Sequence, residues 1–130
     1  MPDLILIAAA VVIAAALIVH AVVESRRVVR PLLDNDSLPE TAKWLLYGGW
    51  HLISLLLAAL AALLLWSAFT FPPRGLIIGL TVFLIAAACL SYFAASKGKI
   101  HPLRFPATWL FLLSAVLTLT DLLLSGPDMD

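Results

Sequence analysis

Four long stretches almost free of formal charge fill most of this 130-residue chain, and they fix the solvent in which it folds. Twenty uncharged residues lie between Asp3 and Glu24, thirty between Lys43 and Arg74, twenty-two between Arg74 and Lys97, and sixteen between Arg104 and Asp121. A hydrocarbon core about 30 Å thick needs about 20 apolar residues per helix. With 63% apolar residues and a mean hydropathy of +1.08, so short a chain has more apolar surface than a water-soluble core can hide. The pattern predicts a single all-α transmembrane domain with spans at about 4–23, 43–69, 75–96 and 106–125.

Placement of the basic residues predicts orientation. Arg26, Arg27, Arg30 and Lys43 fall between spans one and two, Lys97, Lys99 and Arg104 between three and four, and Arg74 alone on the other side. Seven against one places both basic loops in the cytoplasm and both termini outside. Asp3, Asp128 and Asp130 then sit on the translocated side. The first stretch lacks a positive n-region and is followed, not preceded, by its basic cluster, so it does not fit a cleaved signal peptide. Three short connections make an antiparallel up-down four-helix bundle, N-out and C-out, the economical topology.

Several function classes fall away. A formal net charge of zero leaves no basic stripe for nucleic acid. Cys89 is the only cysteine, which excludes an intrachain disulfide or a CxxC centre, and it is expected to be a small buried hydrophobe.

Local signals set the element ends. The alanine-rich first span (Ala8, Ala9, Ala10, Ala14, Ala15, Ala16, Ala21) suits close helix packing in lipid. Pro31 is expected to end or kink that helix near Arg30. Ser37 and Glu40 have capping-box spacing, which starts the second helix near Leu38. Asn35-Asp36-Ser37 matches a glycosylation pattern but lies on the cytoplasmic side, where that modification does not occur. Trp44, Tyr47 and Trp50 near one end of span two, with Trp66 near the other, read as interfacial belts. Pro72-Pro73 stops span two. Gly75 and Gly79 have GxxxG spacing, which fits either an intramolecular contact or a dimer seam. Gly98 suits a left-handed turn after span three, and Pro102 and Pro106 keep the next loop non-helical.

Ionisable groups within a span are costly and therefore mark candidate sites. His20 and Glu24 lie four apart on one helix face. Counted inward from the basic loop, His20 and His51 sit at the same depth, about 9 to 12 Å. His20, Glu24, Tyr47, His51 and Ser54 are therefore expected to converge, with Ser91 and Tyr92 at similar depth. Such a cluster serves as interhelical glue or as a site for a small ligand. Other chemistries remain open: a divalent metal on His20, His51 and Glu24, a haem between the two imidazoles, or proton-coupled transport through Glu24 and the histidines. Asp121, near a helix end, is expected to snorkel to the interface. His101 reads as solvated, and Arg26, Arg27 and Arg30 as contacts to anionic lipid head groups. The expected partners are the bilayer and, as alternatives, a second copy or a larger membrane complex.

His20-Ala21-Val22-Val23-Glu24-Ser25-Arg26 with Arg30-Pro31-Leu32, Trp50-His51-Leu52-Ile53-Ser54-Leu55, and Ala95-Ser96-Lys97-Gly98-Lys99 with Trp109 together resemble an uncharacterised family of small bacterial four-span inner-membrane proteins. The likeness touches all four spans and implies a bacterial inner membrane, with no catalytic residue to carry over. The family's acid stands one position later, where this chain has Ser25. A step of about 100° around the helix separates the two positions, which leaves the His20 and His51 pair as the stronger candidates.

Overall fold

A computed structural model describes residues 3–99, 101 and 104–126; Asp128, Asp130 and Pro102 lie outside the described residues. The described chain is helical and contains no strand. Helix α1 spans Leu4–Ile18, a π-helical turn spans Val19–Glu24, and α2 spans Ser25–Leu33. Helices α3 (Glu40–Thr70), α4 (Arg74–Lys97) and α5 (Pro106–Leu124) follow. Four continuous helical stretches, Leu4–Leu33 and the three that follow, are long and apolar enough to cross a membrane. This is a multi-pass membrane protein. Only 28 to 33% of each apolar window is buried inside the protein, so most leucine, valine and phenylalanine side chains are left for acyl chains.

Helix α1 is the hub. It packs closely against α3 and α5, α5 in turn packs against α4, and α3 and α4 touch little although Pro72-Pro73 joins them. Small residues make this possible. Leu6, Ala9, Ala10, Ile13 and Ala16 recur every three or four positions and are buried, so two neighbours approach the same backbone. One approach is close enough for the Ser114 hydroxyl on α5 to donate to the Ala9 carbonyl at 3.3 Å. Thr81 of α4 donates to the Thr118 hydroxyl of α5 at 2.9 Å inside the same core. Leu57, Leu60 and Leu64 of α3 and Ile77, Leu80 and Leu84 of α4 complete it.

Asp3 begins the first helix. Its carboxylate accepts the Ile5 and Leu6 amides at 2.8 and 3.1 Å, and its own N–H donates to the Ala68 carbonyl at 2.8 Å, tying the start of α1 to the end of α3.

Five local expectations need correction. Pro31 does not stop the first helix, which runs on to Leu33. The ring is exposed and forfeits one late hydrogen bond, and the last turn closes through the Asp34 N–H on the Arg30 carbonyl. The capping box does not form. Ser37 donates both its N–H and its hydroxyl to the Asn35 side chain, Glu40 accepts the Trp44 indole at 2.7 Å, and α3 starts at Glu40 behind Pro39. After α4 the left-handed residue is Lys99 rather than Gly98, because Gly98 still closes the helix onto Ala94. Gly75 and Gly79 face open space, with no intramolecular partner near either among the described residues, so of their two expected uses the contact within the chain is not made. Cys89 is exposed rather than buried, on a face of α4 left for lipid. Helix α5 begins at Pro106, whose fixed φ and missing amide are tolerated at a first helical position.

Candidate functional site

The buried stripe of α1 continues into the π-helical turn and ends on His20, which is only 8% exposed. In a π turn the backbone bonds reach one residue further than in an α-helix, and such turns concentrate at functional positions. Here the turn holds both ionisable residues of the span. His20 Nδ1 lies 3.3 Å from Glu24 Oε2, and His20 Nε2 lies 3.3 Å from the Trp50 carbonyl oxygen of α3. Both ring nitrogens therefore face oxygen acceptors. A doubly protonated imidazole can donate to both, a neutral one to only one. The ring also stacks on the Trp50 indole, with centroids 3.9 Å apart and planes 19° from parallel. Ser54, one turn along α3, donates its hydroxyl to the same Trp50 carbonyl at 3.3 Å.

Beside this assembly lies a cavity of about 230 Å³. Its wall is mostly apolar, with Val19, Leu57, Leu90, Phe105 and Phe111 among the lining residues, and His20, Glu24 and Ser91 supply the polar groups. All four spans contribute. An apolar chamber with a few convergent polar groups is the usual form of a small-molecule site, and this one is smaller than most.

The expected cluster thus splits. His20, Glu24 and Ser54 come together, joined by Ser91 across the cavity. Tyr47 and His51 do not join them: they meet each other edge to face at 4.4 Å, and the His51 ring is exposed on a different side of α3. The reason is helical phase, since adjacent residues are about 100° apart and Trp50 takes the inward position. Tyr92 is exposed as well, with Ser91 turned inward in its place. The histidine rings share no chamber, so neither an axial pair for haem nor a three-ligand set on His20, His51 and Glu24 is assembled. Among the described residues no group of three His, Cys, Asp or Glu side chains is placed to hold a metal ion. Arg26, Arg27 and Arg30 are exposed, whereas Lys43 is buried and donates to the Leu33 carbonyl at 3.2 Å, closing the loop between the first two spans. His101 is exposed, as expected.

Two site residues were not anticipated. Trp50 read as a belt aromatic, yet it is the surface on which His20 rests. Asp121 does not snorkel: it is 6% exposed and hydrogen-bonded to Asp3. Phe105 and Phe111 gave no sequence signal beyond being aromatic.

No protein-family model, curated protein or solved structure matches this chain.

Proposed function

We propose that the chain is a non-enzymatic four-span protein of a bacterial inner membrane, with both termini outside, and that its His20 cluster locks the bundle and frames a chamber for a small ligand. The observation that carries this reading is the double engagement of His20. An imidazole held at both nitrogens and on one face is fixed in place and presents a rigid polar edge to the cavity beside it. A ring so occupied is a poor candidate for ligation, which favours this reading over a metal or haem centre. The ligand chemistry that fits is a compact lipophilic body with a single polar group, directed at Glu24 or Ser91.

The arrangement is antiparallel in this reading. Support comes from the start of α1 meeting the end of α3 through Asp3 and Ala68, and the end of α5 through Asp121. The seven-to-one distribution of basic residues then puts the His20 end toward the cytoplasm. Arg26, Arg27 and Arg30, exposed on α2, face the anionic head groups there. The open face carrying Gly75 and Gly79 is available to a second copy or a larger assembly.

Reporter fusions test the orientation. A reporter active only outside the cytoplasm should work at the C-terminus, and a cytoplasmic reporter working there would overturn it. Native mass spectrometry tests the chamber. Protein released from bilayers should carry a small bound molecule that Ala107→Phe, which fills the cavity, removes; equal occupancy in both would count against a ligand site.

A further inference from the structure

A second polar pocket lies at the opposite end of the bundle from His20, and all four membrane-crossing helices build it. Asp3 enters from the start of α1, Ser67 from the last turns of α3, Arg74 from the first turn of α4 and Asp121 from the last turn of α5. They surround a cavity of about 340 Å³ whose remaining wall is largely apolar, including Leu6, Phe71, Ile77 and Leu122.

Two observations bear on what it holds. The first is the carboxyl pair. Asp3 and Asp121 are hydrogen-bonded side chain to side chain, which requires one proton between them. Burial works against charge on Asp3, but the bond from Asp121 and the Leu6 and Ile5 amides outweigh it and hold its carboxyl below the usual range. The Asp3 carboxylate accepts the Ile5 and Leu6 amides at 2.8 and 3.1 Å at the positive end of α1, which makes Asp3 the charged partner and leaves the shared proton to Asp121. The second observation is Ser67. Thr70, Ser96 and Thr120 each return their hydroxyl to the carbonyl one turn back, as hydroxyls in membrane helices usually do. Ser67 makes no such bond: its oxygen is buried, the residue is 1% exposed, and it has no partner among the described residues while lining the cavity. A buried hydroxyl left unpaired is costly, and one opening on a cavity is an acceptor waiting for a donor.

Charge identifies the donor. Among the described residues, the ionised groups that line the cavity with Asp121 are Asp3 and Arg74, whose guanidinium donates to the Gly126 carbonyl. With Asp121 protonated the pocket is neutral. Replacing that proton with a monovalent cation keeps it neutral, whereas a divalent ion or an anion does not. The apolar walls require the cation to carry a short hydrocarbon body, and the volume limits its size.

We propose that this pocket binds a small primary alkylammonium ion in exchange for the proton held between Asp3 and Asp121, with the Ser67 hydroxyl as a further acceptor for the ammonium. The step is an ion exchange. The Asp121 O–H bond breaks, its proton passes to water, and the carboxylate that remains pairs with the incoming ammonium; no electrons change hands. The His20 chamber is not involved, so His20→Ala leaves the exchange intact.

Butylammonium chloride serves as the probe, added to the purified protein in weakly buffered detergent with a pH indicator, alongside calorimetry. The expected result is about one proton released per cation bound. Asp121→Asn keeps a hydrogen-bond donor for Asp3 but has no proton to lose, so binding and release both disappear while the melting curve is retained. Asp3→Asn, a second variant, leaves Arg74 unopposed and also abolishes binding. Ser67→Ala weakens binding about fivefold, the effect of one hydrogen bond. Absence of binding to the wild type, binding without proton release, or release that persists in Asp121→Asn would each overturn the proposal.

Discussion

Replacing His20 with alanine is expected to cost the bundle about 2 to 3 kcal/mol, and replacing His51 with alanine less than about 0.5 kcal/mol. The two residues have the same chemistry and lie at the same expected depth, so the difference is entirely one of position. Loss of His20 removes two interhelical or intrahelical polar contacts, each worth about 0.6 to 1.7 kcal/mol in a membrane. It also removes the stack on Trp50, worth about 0.5 to 1.5 kcal/mol. Glu24, whose side chain is only 16% exposed, then loses its imidazole partner. His51 touches Tyr47 on an exposed face, and nothing buried depends on it. Unfolding in bicelles followed by tryptophan fluorescence reads the difference directly. Similar losses at both positions would show that the imidazoles act together.

A larger effect is expected from adding volume to the hub helix. Ala9→Leu should cost about 3 kcal/mol or more, while Val11→Leu, two residues away, should be close to neutral. Ala9 is fully buried where α1 meets its neighbours, and its carbonyl accepts the Ser114 hydroxyl of α5. Three added carbons have no space, so the helices must separate and that hydrogen bond with them. Val11 is mostly exposed, and its side chain meets lipid, for which leucine is no worse. The same unfolding assay tests the pair. An Ala9→Leu protein as stable as the parent would mean that α1 and α5 are not in close contact.

How much of this was legible depends on which residues could stand out. The four spans could, because uncharged stretches of that length have no other stable solvent. Helix facing could not be read as easily, since nearly every position within a span is apolar and burial has no contrast to work on. Yet α3 holds a usable trace. Leu57, Leu60, Leu64 and Ser67 form its buried stripe, and stepping back from Leu57 by three and then four positions reaches Ser54 and Trp50, not His51. Depth alone made the two histidines level; phase separated them. On α5 the stripe Ser114, Thr118 and Asp121 is small and polar at the same spacing, which marks Asp121 as inward-facing although it is near a helix end. The π-helical turn left no trace in the apolar pattern, which runs through Val19–Glu24 without a break in spacing that would mark it. Ser37 and Glu40 fitted a capping box by spacing but lost to a local competitor, the Asn35 side chain, that spacing does not reveal.

The central place of α1 has a consequence for biogenesis. This helix leaves the ribosome well ahead of α5, one of the two it packs against. The contact from Ser114 to Ala9 spans 105 positions of chain, so at about 10 residues per second α1 waits on the order of 10 s with its alanine flank open to lipid or to an insertase. The hub of the bundle is thus enclosed only once a helix made some hundred positions later has arrived.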